Sequence, residues 1–215
     1  MSPGQRAYAI HLHDPRVAMV VAAGAAGSGK TLLAVDAAVD HLEAAAVRRI
    51  VLARPAVTAG EELGFLPGTV EEKLRPWMVP LYDALEKRYA PGKVRAMLEG
   101  GKLEICPVAY MRGRTFTDAF VVVDEVQNAT EVQFRMIATR LGAGSKLVLA
   151  GDPSQVDLRL GVRSGLVDFL ERHRAAAAVP VGSGVRVVHL EAGDCMRHPV
   201  VREVLALYGE EEAST

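Results

Sequence analysis

"GAAGSGKT", residues Gly24–Thr31, decides the fold of this chain. The spacing Gly24-x-x-x-x-Gly29-Lys30-Thr31 is that of a phosphate-binding loop, with Ala25, Ala26, Gly27 and Ser28 as small residues filling its interior. Glycine is needed because the chain must turn tightly and aim several backbone N–H groups at one anion. Lys30 would then reach the terminal phosphates of a nucleoside triphosphate and the Thr31 hydroxyl would bind Mg²⁺. The helix that starts at Lys30, Thr31 and Leu32 would place its positive end beneath the anion. A glycine-rich turn that binds nothing is the plainer alternative. The context favours the loop, because the apolar run "VAMVVAA" (17–23) precedes it and helical spacing follows at Leu32, Leu33, Val35, Ala38, Val39 and Leu42.

The 215 residues, half of them hydrophobic, can bury one sizeable core, read here as a single domain over 1–209 with a short acidic tail over 210–215. The formal net charge of −1 means that nucleic-acid binding would need a local basic patch. No apolar stretch reaches the length of a membrane span and "MSPGQRAYAIHLHD" lacks the apolar centre of a signal peptide, so a cytoplasmic protein is expected. Cys106 and Cys195 lie far apart without metal-ligand spacing, which fits small buried residues in a reducing compartment. His11 and His13 read as exposed residues rather than a metal pair, since no further ligands approach them in sequence.

Short β-branched runs alternate with helical patterns. The runs are 17–23, "RIVLAR" (49–54), "KLEICPV" (102–108), "AFVVVDE" (119–125), "KLVLAG" (146–151) and "VRVVHL" (185–190). Most are continuously apolar, as parallel strands are when helices cover both faces. Helices are expected near 30–45, 70–89, 130–140, 164–174 and 199–208, with a helix end running into a loop over 174–185. The fold class is therefore α/β, a three-layer P-loop NTPase with a mainly parallel sheet and its ligand at the carboxyl ends of the strands.

"AFVVVDE" puts Asp124 and Glu125 at such a strand end. Asp124 would hold Mg²⁺, and Glu125 would polarise the water that attacks the γ-phosphate; a solvated strand end is the plainer reading. "KLVLAGDPSQ" supplies a second polar strand end, Asp152 and Gln155 close after Gly151, where the Gln155 amide can detect the γ-phosphate, although a Gly-Asp-Pro-Ser turn needs no function.

"SPGQRAY", "GAAGSGKT", "ARPAVTAGEELGFLPG", "AYMRGRTFTDAFVVVDEVQNAT", "TRLGAGSKLVLAGDPSQVDLRLGVRSGL" and "MRHPVV" occur in this order. Together they resemble the PhoH-like ATPases, the phosphate-starvation-inducible family, over almost the whole chain. The loop, Asp-Glu-x-Gln and Gly-Asp-x-x-Gln elements also resemble the first motor domain of superfamily 1 helicases. The resemblance implies a RecA-like core with the "KLVLAG" strand between the loop strand and the "AFVVVDE" strand. It further implies that Gln155 faces the γ-phosphate, that Gln5 reads the adenine edge with Tyr8 packed nearby, and that Gln127 couples nucleotide and partner sites. Without the family, Gln5 reads as an exposed N-terminal glutamine. Longer relatives carry an added nucleic-acid-binding or ribonuclease segment, whereas this chain looks like a bare ATPase module.

Arginine stabilises phosphate charge through its planar fork, and Arg54, Arg112, Arg114, Arg140, Arg163 and Arg197 all sit in family-like motifs. Arg197 and Arg140 are candidates for the γ-phosphate, within one chain or across a subunit boundary; salt bridging or helix capping is the alternative for each. Arg54, Arg112 and Arg114, with Tyr110 for stacking, form a candidate surface for single-stranded RNA or DNA, or else a basic loop that orders the nucleotide site. The expected function is Mg²⁺-dependent ATP hydrolysis coupled to RNA or another nucleic acid, helicase-like in its sharpest form. A P-loop kinase of a small acceptor and a slow nucleotide-gated assembly module are the alternatives. With no second motor domain to supply a cation, a homo-oligomer is expected, a ring of six by analogy with RecA-like assemblies.

Overall fold

All six expected strands form, and they pair in parallel throughout. The computed structural model describes residues 1–55, 70–176, 184–195 and 200. The helix expected over 199–208, the acidic tail and the centre of the 174–185 loop thus lie outside the described residues. In chain order the elements are α1 (Pro3–His13), β1 (Met19–Gly24), α2 (Lys30–Glu43), β2 (Arg49–Arg54), α3 (Val70–Glu86) and α4 (Pro91–Glu99), then β3 (Leu103–Pro107), β4 (Ala119–Val123), α5 (Glu131–Ala138), β5 (Lys146–Gly151), α6 (Gly165–Ala175) and β6 (Val185–Leu190). The sheet order is β3-β2-β4-β5-β1-β6, so β5 lies between the loop strand β1 and the Asp-Glu strand β4.

Because successive side chains on a strand point to opposite faces, each strand feeds two cores. Val20, Ala22, Ile50, Leu52, Phe120, Val122 and Val148 pack under α1 to α4. Val21, Val51, Ala53, Val121, Val123, Leu147 and Leu149 pack under α5 and α6. This is the three-layer arrangement, and it explains why the strand sequences do not alternate.

Two helices were not foreseen. The expected 70–89 helix stops at Glu86, and α4 starts afresh with Pro91 at its first turn, where a missing N–H costs nothing. The start of α1 is a capping box: the Ser2 hydroxyl accepts from the Gln5 N–H, the Gln5 side chain accepts from the Ser2 N–H, and Pro3 opens the helix. Tyr8 and Leu12 are its fully buried face. Its far end is tied down by Lys146, at the start of β5, whose Nζ donates to the His11 and Asp14 carbonyls at 3.2 and 2.8 Å.

Burial pulls the Lys146 ammonium from 10.5 down to about 8. The folded chain therefore sheds this proton before the unfolded chain does, and stability from this group rises as pH climbs from about 8 to about 10.5. Lys146→Met should flatten the stability–pH curve in that window relative to wild type, as read from urea midpoints. A slope identical to wild type would contradict this.

Gly24 ends β1 where β6 passes closely. A Cβ there would lie 2.1 Å from the Leu190 carbonyl oxygen, a backbone atom that cannot yield without parting the two strands. Gly24→Ala should cost about 3 kcal/mol in urea unfolding, at the upper end of overpacking effects.

Candidate functional site: a phosphate cradle facing two carboxylates

The phosphate loop leaves β1 at Gly24 and turns through left-handed backbone at Gly27 (φ +84°) and Gly29 (φ +89°), conformations that side chains resist. Lys30 opens α2 and folds back over the loop, its Nζ donating to the Gly24 and Ala25 carbonyls at 2.7 and 2.8 Å. Burial lowers the ammonium's pKa, with the carboxylates of Asp152, Asp124 and Glu125 pulling the other way. A buried cation held by two loop carbonyls and, at 3.4 Å, the Ser28 hydroxyl is placed to exchange them for phosphate oxygens.

The sheet order brings three strand ends to this cradle. A cavity of about 260 Å³ lies between the loop (Gly27, Lys30, Thr31, Leu32), the β4 end (Asp124, Glu125) and the β5 end (Asp152, Gln155). Across it the Thr31 hydroxyl donates to Asp124 Oδ1 at 2.6 Å. Asp124 is 4% exposed, and burial pushes its carboxyl above the usual carboxylate range despite that bond. A buried carboxylate beside a hydroxyl and a phosphate cradle is a hard-oxygen set of the kind Mg²⁺ takes, with phosphate oxygens and waters completing its shell.

Glu125 sits in the left-handed region at φ +54°, which for a residue with a Cβ costs about 1–2 kcal/mol. Its side chain is 39% exposed. One oxygen, Oε2, accepts from Gln127 Nε2 at 2.6 Å, and the other lies 3.3 Å from Arg54 Nη2. Gln127 continues the chain: its Oε1 accepts from the Asp152 N–H at 3.0 Å, and Asp152 Oδ2 accepts from the Ala26 N–H of the phosphate loop at 3.1 Å. Gly151 makes this possible, because a Cβ there would stand 2.7 Å from Gln127 Oε1 and 3.0 Å from its backbone nitrogen. The loop and the carboxylate are thus mechanically joined through Asp152 and Gln127.

A family model described as PhoH-like protein matches residues 1–209. The chain belongs to the PhoH-like family. It is 44% identical over 208 residues to the PhoH-like protein of Bacillus subtilis (strain 168), covering 97% of this chain and 63% of that one. It is 41% identical over 192 residues to Protein PhoH of Escherichia coli (strain K12), covering 88% and 52%. The chain therefore spans roughly half to two-thirds of the length of these curated relatives. Among solved structures, the large terminase of a thermophilic bacteriophage shares the fold, with a TM-score of 0.54 at 13% identity over 94% of this chain and 49% of that one.

In this PhoH-like chain the family-derived positions separate into those the fold gathers and those it does not. Gln5 is 6% exposed, not an exposed glutamine, and its Nε2 donates to the Ser28 carbonyl of the phosphate loop at 3.1 Å and to the Asp194 carbonyl at 3.0 Å. Tyr8 lies beneath the same loop and donates to the Lys30 carbonyl at 3.3 Å. Gln155 is exposed at the cavity mouth.

The arginines are redistributed. Arg54, expected on a polynucleotide surface, is instead a site residue: its side chain is 12% exposed and lies against Asp124 and Glu125. Arg114 grips both oxygens of Glu104 at 2.5 and 2.7 Å and stacks over Phe116, so of the expected surface Arg112 and Tyr110 face solvent. Arg163 is held by Glu131, Asp168 and Glu171. Arg140 closes the end of α5 on the Met136 carbonyl and reaches the Arg114 carbonyl, while its own carbonyl accepts from Phe116, just before β4 begins. That is the amino end of the sheet, about 17 Å of strand away from the cradle. Arg140 therefore does not meet a phosphate bound by its own chain; only the role across a subunit boundary survives as a proposal. Arg197 lies outside the described residues.

Sequence reasoning named Asp152 but not its tie to Ala26, left Arg54 between a polynucleotide surface and a loop that orders the nucleotide site, and missed Cys195 at the phosphate loop. Cys106 is buried as expected, its thiol pushed up to about 12, but Cys195 is half-buried and sits on the phosphate loop with Sγ 3.5 Å from the Ala26 carbonyl. No spacing announces these long-range contacts. His13 lies 3.3 Å from Asp40, and among the described residues no three potential metal ligands cluster. No helix among the described residues is long and apolar enough to cross a membrane.

Proposed function

We propose that this chain is a Mg²⁺-dependent ATPase whose turnover is coupled to single-stranded RNA or DNA. The observation that carries the reading is the 2.6 Å bond from Thr31 to Asp124, which joins the phosphate cradle to the metal-binding carboxylate with Glu125 as the next residue. On nucleotide binding, Lys30 exchanges the Gly24 and Ala25 carbonyls for β- and γ-phosphate oxygens, and the loop N–H groups take the remainder. Thr31 and Asp124 would hold Mg²⁺, which would supply charge neutralisation at the phosphates. Glu125 accepts a proton from the water that forms the new O–P bond as the bridging O–P bond to ADP breaks, and Gln155 orients that water.

Arg112 and Tyr110, the exposed members of the basic motif, would meet the polynucleotide by phosphate contact and stacking. An arginine from a neighbouring copy, Arg140 or Arg197, would complete the nucleotide site in a homo-oligomeric ring, for which six is the working number. Phosphate release measured with and without single-stranded RNA tests the reading. Stimulation by RNA supports coupling; phosphate transfer to an added small acceptor without release would instead indicate a kinase. Gln5→Ala should weaken the preference for ATP over GTP, and an unchanged preference would leave Gln5 as a strut between α1 and the loop.

A further inference from the structure

We infer that Arg54 is a positioning residue of the hydrolytic site: it is the internal counter-ion of the Asp124–Glu125 pair and fixes the Glu125 carboxylate in its working orientation. The inference rests on Glu125 as base and Asp124 as metal carboxylate.

Arg54 ends β2, the neighbour of β4. The register pairs Ala53 with Val123, and the Asp124 N–H donates to the Ala53 carbonyl at 2.9 Å, which brings Arg54 level with the two acids. Its Nε lies 3.7 Å from Asp124 Oδ2, and its Nη2 lies 3.3 Å from Glu125 Oε1. Arg54 is not among the residues that line the cavity, and its ion pairs are with the two carboxylates that do. It acts on the reaction through them.

Two adjacent carboxylates, one of them 4% exposed, repel each other and are poorly solvated. Among the described residues the guanidinium is in ion-pair distance of both, and the Lys30 ammonium adds a weaker attraction from across the cavity. Arginine suits this place and lysine does not, because one planar fork spans two carboxylates whereas an ammonium is a point charge. For Glu125 the consequence is orientation: with Arg54 on one oxygen and Gln127 on the other, both ends of the carboxylate are fixed. Remove Arg54 and a half-exposed carboxylate keeps one tether and can swing into solvent. Asp124 would give its charge to the metal it holds, which would leave the guanidinium to Glu125, already its nearer partner at 3.3 Å.

The test compares wild type, Arg54→Gln, Arg54→Lys, Glu125→Gln and the double variant Arg54→Gln/Glu125→Gln. Arg54→Gln should lower kcat for phosphate release by about 10–100-fold, the usual effect of removing a group that orients a functional residue, with KM for Mg·ATP nearly unchanged. In the Glu125→Gln background the same change should cost nothing further. Independently of activity, Arg54→Gln should lower the thermal midpoint of the metal-free protein and regain it on addition of Mg²⁺ with ADP, which replaces the missing cation. Arg54→Lys should keep the metal-free midpoint and recover only part of kcat; it carries the kinetic test if Arg54→Gln does not fold. Wild-type kcat in both Arg54 variants, an additive loss in the double variant, or a midpoint that Mg·ADP does not restore would overturn the inference while Glu125 stands as base. If Glu125→Gln itself turns over normally, the site reading falls and the inference falls with it.

Discussion

Glu125→Gln should bind Mg·ATP as tightly as wild type and release phosphate about 10³-fold more slowly, the middle of the range for losing a general base. The amide has the shape of the carboxylate, and its oxygen can still accept the Gln127 hydrogen bond or face Arg54. It cannot take a proton from water. Because the change touches an interaction made when water attacks and not when phosphate binds, affinity and turnover should separate. Equilibrium titration with nucleotide and single-turnover phosphate release would show the two effects independently. Equal turnover in both proteins would remove Glu125 from the mechanism.

Lys30→Ala should do the reverse of separating them, weakening nucleotide binding by about 10²-fold or more through the loss of charge-assisted bonds to phosphate. The fold should not suffer. Lys30 is a buried cation whose pKa is lowered by burial, so its charge is maintained against the folded state's preference. The carbonyls of Gly24 and Ala25, released from its ammonium, belong to a half-buried and an exposed residue that water can reach. The nucleotide-free thermal midpoint is accordingly expected to stay level or rise, the usual trade of stability for function at a site. A large fall in that midpoint would mean that Lys30 serves mainly as a strut for its own loop.

The strands were readable because burial on both faces leaves no room for alternation, and every run quoted from the sequence became a strand within a residue or two. The phosphate loop and the Asp124–Glu125 strand end were readable for a related reason: each is a polar break at the end of an apolar run. Helix α1 was not read, because its inward face is little more than Tyr8 and Leu12. Its signal lay elsewhere, in the Ser2-Pro3-x-Gln5 cap. Arg54 illustrates the deeper limit. In the sequence it is one basic residue before a proline, and only the placement of β2 beside β4 turns it toward the acids. The path from Ala26 through Asp152 and Gln127 to Glu125 likewise joins residues more than a hundred positions apart, and no local pattern announces it.

Steady-state phosphate release at saturating ATP, with Mg²⁺ and with Mg²⁺ chelated, tests the central claim most directly. The account predicts release that requires Mg²⁺ and disappears in Asp124→Asn, whose nucleotide-free thermal midpoint should match or exceed wild type because a desolvated charge has been removed. Nucleotide binding at this loop with no phosphate release under any of these conditions, single-stranded RNA included, would contradict it.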